Sequence, residues 1–204
     1  MKLYTSLGPN PRVVRMFAAE RGVSLDLVEI DILVGDNRSE PYLSINPLGA
    51  TPALVLDGGQ VITETVAACE YLDETRPGVS LIGATPAQRA ETRMWTRRID
   101  LGFAEPLTLG FRAAEGRAMF APRVVVANAA AADDLKAMAF ATLDMVERQC
   151  GGRTHVVGDV ATLADILLFC FVEFALLVGM TPLEGRGWLS AWHATMAARP
   201  SALA

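Results

Sequence analysis

Two residue pairs in the stretch GATPALVLDGGQVITET, which begins at Gly49, are suited to binding a small ligand. Thr51-Pro52 precedes a short β-type run. Because proline has no N–H to donate, it either protects a sheet edge there or makes a special turn. Glu64-Thr65 supplies a carboxylate and a hydroxyl at the start of a predicted helix, where free N–H groups and the helix dipole favour an anionic group. The alternative is an ordinary strand entrance and an ordinary helix N-terminus.

The segment that must position these pairs alternates strands and helices. Asn10 is predicted to cap the first helix, with Pro11 at the first helical position. This order, βαβ and then ββα, predicts a small mixed sheet whose first connection is right-handed and joins parallel strands. The predicted elements are a strand at 2–6, a helix from 10 to 22, a strand at 25–32, a hairpin of strands at 53–56 and 60–63, and a helix at 64–76.

The second half of the chain is predicted to be all helical. Thr85 and Gln88 fit a capping box that opens a long helix, and Thr162 with Asp165 opens another in the same way. Further helices are predicted at 123–149 and 188–198. We therefore expect an α/β domain at 1–77, a linker at 78–85 and an all-α domain at 86–204.

The composition excludes several classes of protein. With 204 residues, 51% of them hydrophobic, and a net charge of −5, the chain fits a soluble globular protein and not a general nucleic-acid binder. The apolar stretch at 163–180 carries two carboxylates, which favours a buried helix over a membrane span. Scattered cysteines and isolated histidines predict neither a disulfide framework nor a metal site, and the N-terminus has no export signal, so we expect a cytoplasmic protein.

The predicted βαβ-ββα module, with a proline opening its third strand, resembles the thioredoxin fold. In that fold the proline is cis, a form only about 0.5 to 1 kcal/mol less stable than trans. The residue before it presents its backbone N–H and C=O to an extended peptide. The resemblance implies that Thr51, followed by a cis Pro52, has this role here.

The stretch INPLGATPALVLDGGQVITETVAACEYLDE, from Ile45 to Glu74, resembles the glutathione-site segment of cytosolic glutathione transferases. It has the N-P-x-G-x-x-P-A-L core, with Glu-Thr where the family usually has Glu or Gln followed by Ser. The resemblance extends over nearly the whole chain, because it includes the linker, the helical second half and the T-x-x-D box. The stretch LGPNPRVVRMF is similar to bacterial members of the family, including Nu-like ones. The resemblance implies a homodimer that binds glutathione mainly through its first domain.

The same resemblance implies a set of glutathione-binding residues. Glu64 and Thr65 would meet the γ-glutamyl group, and Thr51 would pair with the cysteinyl backbone. For the residues of the connector and for the acid on the first long helix, ordinary solvated positions are the alternative. Ala50 departs from the family, in which Lys or Arg is common at this position. The full set is Asn37, Arg38, Thr51, Pro52, Glu64, Thr65 and Asp100.

Activation of the thiol requires a donor near the end of the first strand. A free thiol has a pKa of about 8.5, and the family lowers this pKa with a Tyr, Ser or Cys. We predict that Asn10, which falls where some bacterial members place a catalytic Cys and the Nu-like ones an Asn, donates to the sulfur, with Ser6 as the alternative candidate. Asn10 could instead serve only as a helix cap. Packing within the strand explains Tyr4 better than catalysis does.

The acceptor-substrate side is predicted to involve Arg98, Phe103 and Arg112, with a solvated helix face as the alternative. The resemblance implies a glutathione transferase that acts in detoxification. In its reaction the glutathione thiolate attacks a small electrophile. Glutathione is the co-substrate, and we expect no other cofactor. One alternative is a glutathione-dependent disulfide reductase, since two glutathiones could exchange with a disulfide without a catalytic cysteine. Another is a non-catalytic binding or regulatory protein of the same fold.

Overall fold

A four-stranded sheet lies in the first of two units of the computed structural model, which describes residues 1–204. This unit comprises Met1–Ala84 and Arg199–Ala204, and the second comprises Thr85–Ala198. The first unit contains β1 (Lys2–Thr5), α1 (Pro9–Glu20), β2 (Asp26–Glu29), α2 (Glu40–Leu43), β3 (Ala53–Val55), β4 (Val61–Thr63) and α3 (Thr65–Glu74). The predicted βαβ and ββα order is confirmed, with α2 and a 3₁₀ turn at Asp36–Arg38 added in the connector.

The sheet has the strand order β2-β1-β3-β4. β1 and β2 are parallel, as expected for a βαβ unit, while β3 is antiparallel to both β1 and β4. In register, Tyr4 lies opposite Ala53, and Ala53 lies opposite Thr63. The carboxyl ends of β1 and β4 and the amino end of β3 therefore meet at one edge of the sheet.

Helices α1 and α3 bury apolar faces, and an ion pair joins their ends. Arg21 Nε lies 3.0 Å from Asp73 Oδ1, and the two side chains are only 5% and 6% exposed. Asp73 also accepts a 2.9 Å hydrogen bond from Leu81 N, so the linker is attached to the end of α3. The fully buried apolar side chains of this unit include Leu3, Val13, Val14, Met16, Phe17, Leu54, Cys69 and Leu72.

The second unit is all helical, as predicted. Thr85 and Gln88 form the expected capping box at the start of α4. The helical path beyond α4 includes a π-helical segment at Asp100–Ala104, consistent with Pro106, which lacks an N–H for the carbonyl of Gly102. The helices are α4 (Pro86–Ile99), α5 (Glu105–Ala113), α6 (Arg117–Phe120), α7 (Ala132–Cys150), α8 (Leu163–Leu177) and α9 (Gly187–Ala197).

The helix predicted at 123–149 begins later than expected. Asn128 Oδ1 accepts a 3.0 Å hydrogen bond from Ala130 N and caps a 3₁₀ turn at Ala129–Ala131, and α7 starts only at Ala132. The residues before Asn128 include three consecutive valines, which lose side-chain freedom in a helix. A capping side chain thus separates α7 from the segment before it.

Helix α8 contains the apolar stretch and is buried within the helical unit. Asp165, which is fully buried, accepts hydrogen bonds from Thr162 N at 2.9 Å, Val156 N at 2.8 Å and Trp192 Nε1 at 2.9 Å. The carboxylate predicted to cap this helix therefore also links it to α9 and to the preceding loop. No helix of the chain combines the length and apolarity that crossing a membrane requires.

The last six residues belong to the first unit, whereas the sequence assigned them to the helical domain. Glu20, at the end of α1, accepts hydrogen bonds of 2.7 Å from both Arg199 Nε and Arg199 Nη2 and another from the Ser201 hydroxyl. Arg12 Nη2 also donates to Ala202 O at 3.0 Å. This polar cluster explains why the segment packs with α1.

Glu20→Gln is expected to lower the free energy of unfolding at neutral pH, by an amount that shrinks as the pH falls. Hydrogen bonding from Arg199 lowers the pKa of Glu20 from 4.5, so the unfolded chain takes up this proton at a higher pH than the folded one. The stabilisation is present above about pH 4.5 and is lost as the pH falls through the lower folded pKa.

Denaturant unfolding between about pH 7 and about pH 3 measures this difference. Glu74→Gln, at an exposed position of the same unit, is the matched control. A pH-independent gap between Glu20→Gln and the unsubstituted protein would contradict the expectation.

Candidate functional site

The candidate site lies at the sheet edge where β1 and β4 end and β3 begins. Ser6 follows β1, Thr51 and Pro52 precede β3, and Glu64 follows β4. Asn10, in the first turn of α1, is joined to this group through Thr65, the first residue of α3. The first unit thus brings six of its eight predicted site residues together, although they are up to 59 positions apart in the sequence.

The peptide bond between Thr51 and Pro52 is cis, as the thioredoxin resemblance implied. Pro52 is buried, whereas Thr51 is partly exposed. The hydroxyl oxygens of Thr51 and Ser6 lie 2.5 Å apart, and either can donate to the other. Ser6 is only 2% exposed, so its hydroxyl serves chiefly to join the end of β1 to the turn before β3.

Asn10 is not the N-cap of α1, in contrast to the sequence prediction. The cap is Gly8, whose φ of 140° suits glycine, and Pro9 occupies the first helical position, where its missing N–H breaks no intrahelical bond. The Asn10 side chain instead accepts a 3.0 Å hydrogen bond through Oδ1 from the Thr65 hydroxyl. Asn10 is partly exposed, so its amide is accessible at the site.

Glu64 has an unusual backbone conformation at the start of α3. Its φ of 71° is the only positive φ of any non-glycine residue in the chain. Such conformations cost about 1 to 3 kcal/mol and concentrate at functional sites. The side chain is exposed and has no partner, while the Glu64 carbonyl accepts a 3.0 Å hydrogen bond from Ala68 N. The geometry leaves a carboxylate available beside the unpaired N–H groups of a helix N-terminus.

The loop that leads to the cis bond is held by side chains that sequence reasoning missed. Ala50 O accepts hydrogen bonds from Tyr42 Oη at 2.5 Å and from Asn46 Nδ2 at 2.7 Å. Burial raises the pKa of Tyr42 to about 12, so the phenol stays a donor at neutral pH. The asparagine of the N-P-x-G-x-x-P core was the available signal for Asn46, because Asn side chains often bond to nearby backbone in turns.

Asn37 and Arg38 contact the same loop. Asn37 Nδ2 donates to Gly49 O at 2.7 Å, and Arg38 Nη1 donates to Leu48 O at 3.1 Å. Gly49 has a φ of 59°, and a Cβ on it would lie 2.7 Å from Asn37 O, so glycine is required here. The predicted contact of Asn37 and Arg38 with glutathione stays a prediction, and their observed bonds are to the protein itself.

The predicted residues of the helical unit lie on α4, α5 and the segment between them. Phe103 is fully buried, and its predicted place on the acceptor side stays a prediction. Its position in the π-helical segment places it in the core of this unit. Arg98 is exposed, and its guanidinium carbon lies 5.2 Å from the centre of the Trp95 ring. Asp100 Oδ2 lies 3.8 Å from Arg97 Nη1.

Arg112 belongs to an aromatic cluster of the helical unit. Its guanidinium carbon lies 4.8 Å from the centre of the Phe120 ring. Phe111 makes edge contacts with Phe120 and Phe174, with ring centres 6.2 and 5.1 Å apart. All four side chains are partly exposed, so this cluster retains apolar and cationic surface.

Comparisons with known proteins agree with this architecture. Residues 8–75 match the family model of the glutathione S-transferase N-terminal domain, and residues 108–200 match that of the glutathione S-transferase C-terminal domain. Glutathione S-transferase 2 of Saccharomyces cerevisiae is 30% identical over 203 residues, which cover 97% of this chain and 85% of that protein.

Two solved structures are similar over almost their full length. A glutathione S-transferase domain-containing protein of Marinobacter aquaeolei superposes with a TM-score of 0.90 at 31% identity, covering 98% of this chain and 99% of that one. Gtt2 of Saccharomyces cerevisiae superposes with a TM-score of 0.89 at 28% identity, covering 98% of each chain. Both units of the chain therefore have counterparts in the same proteins.

Tyr42→Phe is expected to lower the free energy of unfolding by about 1 kcal/mol, the typical net value of one hydrogen bond. The loss leaves Ala50 O with Asn46 as its remaining side-chain donor, so the turn before Pro52 should loosen and bind glutathione several-fold more weakly. Denaturant unfolding and calorimetric titration with glutathione measure the two effects. Tyr71→Phe, at a partly exposed position on α3, is the control, and equal behaviour of the two variants would refute the role of Tyr42.

Proposed function

The chain belongs to the glutathione S-transferase family, and we propose that it joins the thiolate of glutathione to a small electrophilic molecule. Membership of this family supports a transferase activity. The main support for this reaction is that Thr51, Glu64, Thr65 and Asn10 lie together at one edge of the sheet. These residues provide donors and acceptors that match the groups of glutathione.

Each group of the tripeptide has a partner in this arrangement. The exposed Glu64 carboxylate pairs with the γ-glutamyl ammonium, and the N–H groups at the start of α3 receive the γ-glutamyl carboxylate. The backbone of Thr51 pairs with the cysteinyl residue like one more strand. In this binding mode the sulfur would lie near Ser6 and Asn10, of which Asn10 is the more exposed residue.

The reaction needs positioning and modest electrostatic stabilisation. The bound thiol loses its proton to solvent, the thiolate forms a carbon–sulfur bond with the electrophile, and a leaving group departs where one is present. No cofactor takes part besides glutathione as co-substrate. We further propose a cytoplasmic homodimer that acts in detoxification, with no nucleic-acid partner.

A glutathione-dependent disulfide reductase is the second candidate. The site has no cysteine, and two glutathiones can exchange with a disulfide without one. Cys69, Cys150 and Cys170 are all buried and form no disulfide, and none belongs to the site. One glutathione would attack a disulfide and form a mixed disulfide, and a second would release the remaining thiol as oxidised glutathione forms. A protein that binds glutathione without turnover is the third candidate.

The three candidates differ in measurable activity. We expect retention on immobilised glutathione and conjugation of a chloronitrobenzene acceptor faster than reduction of a small disulfide. Glu64→Gln removes the charge that pairs with the ammonium and should raise the KM for glutathione about tenfold or more. Glu105→Gln, at an exposed position of the helical unit, is the control.

Faster disulfide reduction than conjugation would favour the second candidate. Retention without either activity would favour the third candidate. Lack of retention would contradict glutathione binding altogether.

Asn10→Ala tests the proposed thiol donor. Without the amide, the pKa of the bound thiol should rise by about one unit toward its free value of about 8.5, with about tenfold less thiolate at neutral pH. The pH dependence of conjugation measures this pKa, and Asn128→Ala, an exposed asparagine of the helical unit, is the control. An unchanged thiol pKa with normal turnover would rule out Asn10 as the donor and leave Ser6 as the candidate.

A further inference from the structure

The hydroxyl of Thr65 and the amide of Asn10 form a direct bridge between two helix N-termini. Thr65 Oγ1 donates to Asn10 Oδ1 at 3.0 Å. Thr65 is 9% exposed and begins α3, while Asn10 lies in the first turn of α1 and is partly exposed. This hydrogen bond joins α1 to α3 at the site.

The bridge determines which end of the Asn10 amide is presented to the site. An amide has an acceptor oxygen and a donor NH₂, and a rotation about the side chain exchanges them. The hydroxyl proton of Thr65 engages the oxygen, which leaves the two N–H donors of Nδ2 for another partner. In the reverse orientation the amide oxygen would face the ligand, and its lone pairs would repel a thiolate.

The bridge also occupies the only proton of the Thr65 hydroxyl. That hydroxyl therefore cannot donate to a ligand carboxylate while it donates to Asn10. The backbone N–H groups of α3 remain free for such a carboxylate, because the first N–H groups of a helix have no partner within it. Thr65 can thus act on two groups of the ligand, through its backbone N–H on the γ-glutamyl carboxylate and through its hydroxyl on the donor to the thiol.

We propose that Thr65 is a positioning residue for thiol activation: its hydroxyl holds the Asn10 amide with Nδ2 directed toward the glutathione sulfur. This inference rests on the proposed function and adds to it a residue that never touches the sulfur. The competing hydroxyl of Ser6 is nearly buried and lies 2.5 Å from that of Thr51, so it is already engaged in holding the turn before β3. The chain therefore uses one hydroxyl for the turn and another for the amide.

Thr65→Val keeps the shape of the side chain and removes the hydroxyl, and Thr65→Ser keeps the hydroxyl. The thiolate absorbance of bound glutathione, titrated with pH, reports the thiol pKa. Thr65→Val should raise this pKa by about half a unit to one unit, and Thr65→Ser should restore it. In an Asn10→Ala background, Thr65→Val should cause no further shift, because the two residues act as one unit.

Three outcomes would overturn the inference. A thiol pKa that does not move in Thr65→Val, with a raised KM alone, would mean that Thr65 only binds the ligand. Additive pKa shifts in the double variant would mean that Thr65 acts independently of Asn10. A pKa in Thr65→Ser that matches that of Thr65→Val would mean that the hydroxyl is not the active group.

Two further measurements keep the inference distinct from the proposed function. Calorimetric titration of the unsubstituted protein with glutathione tests binding itself. Absence of binding would contradict the proposed function and, with it, the inference. If that protein binds and turns over while its thiol pKa is insensitive to Thr65, only the inference fails. Thr65→Ala replaces Thr65→Val should the valine variant not fold, as judged by circular dichroism, and the same pKa shift is expected.

Discussion

The pairing of β3 between β1 and β4 determines where the candidate site lies. Because β3 is antiparallel to both neighbours, its first residue, Ala53, lies opposite Tyr4 near the end of β1 and Thr63 at the end of β4. The chain segments that leave β1 and β4 therefore begin beside the segment that enters β3. Ala53 and Leu54 point to opposite faces of β3 and are both buried, so this strand is covered on both sides.

Polar contacts hold the loop that enters β3 in place beside the ends of β1 and β4. The entering loop has carbonyl groups at Leu48, Gly49 and Ala50 that face neither a strand nor a helix partner, and side chains from α2 and the connector satisfy them. The turn before β3 is also held by the contact between the hydroxyls of Ser6 and Thr51. The edge that contains the candidate site is thus built from short contacts within one unit.

Much of this arrangement could be predicted from the sequence because the signals were local. The hairpin predicted at 53–63, the capping boxes at Thr85 and Thr162, and the proline before β3 each depend on residues only a few positions apart. The start of α1 was predicted incorrectly because Asn10 and Gly8 are both acceptable caps, and the Asn10 side chain bonds to the distant Thr65 instead of capping the helix. Phe103 lies in a π-helical segment, a local change of helix type that periodicity does not reveal.

The amide of Asn10 matters more because the helix that carries it has few backbone donors. Pro9 and Pro11 have no N–H, so Asn10 alone among the first three residues of α1 retains one. In most helices the first N–H groups together would favour a thiolate at this end. Here two of the three are absent, and a side-chain donor fixed in orientation can replace part of that stabilisation. Since a neutral amide gives only a modest preference for the thiolate, its orientation must be well defined, and the hydroxyl of Thr65 is placed to define it.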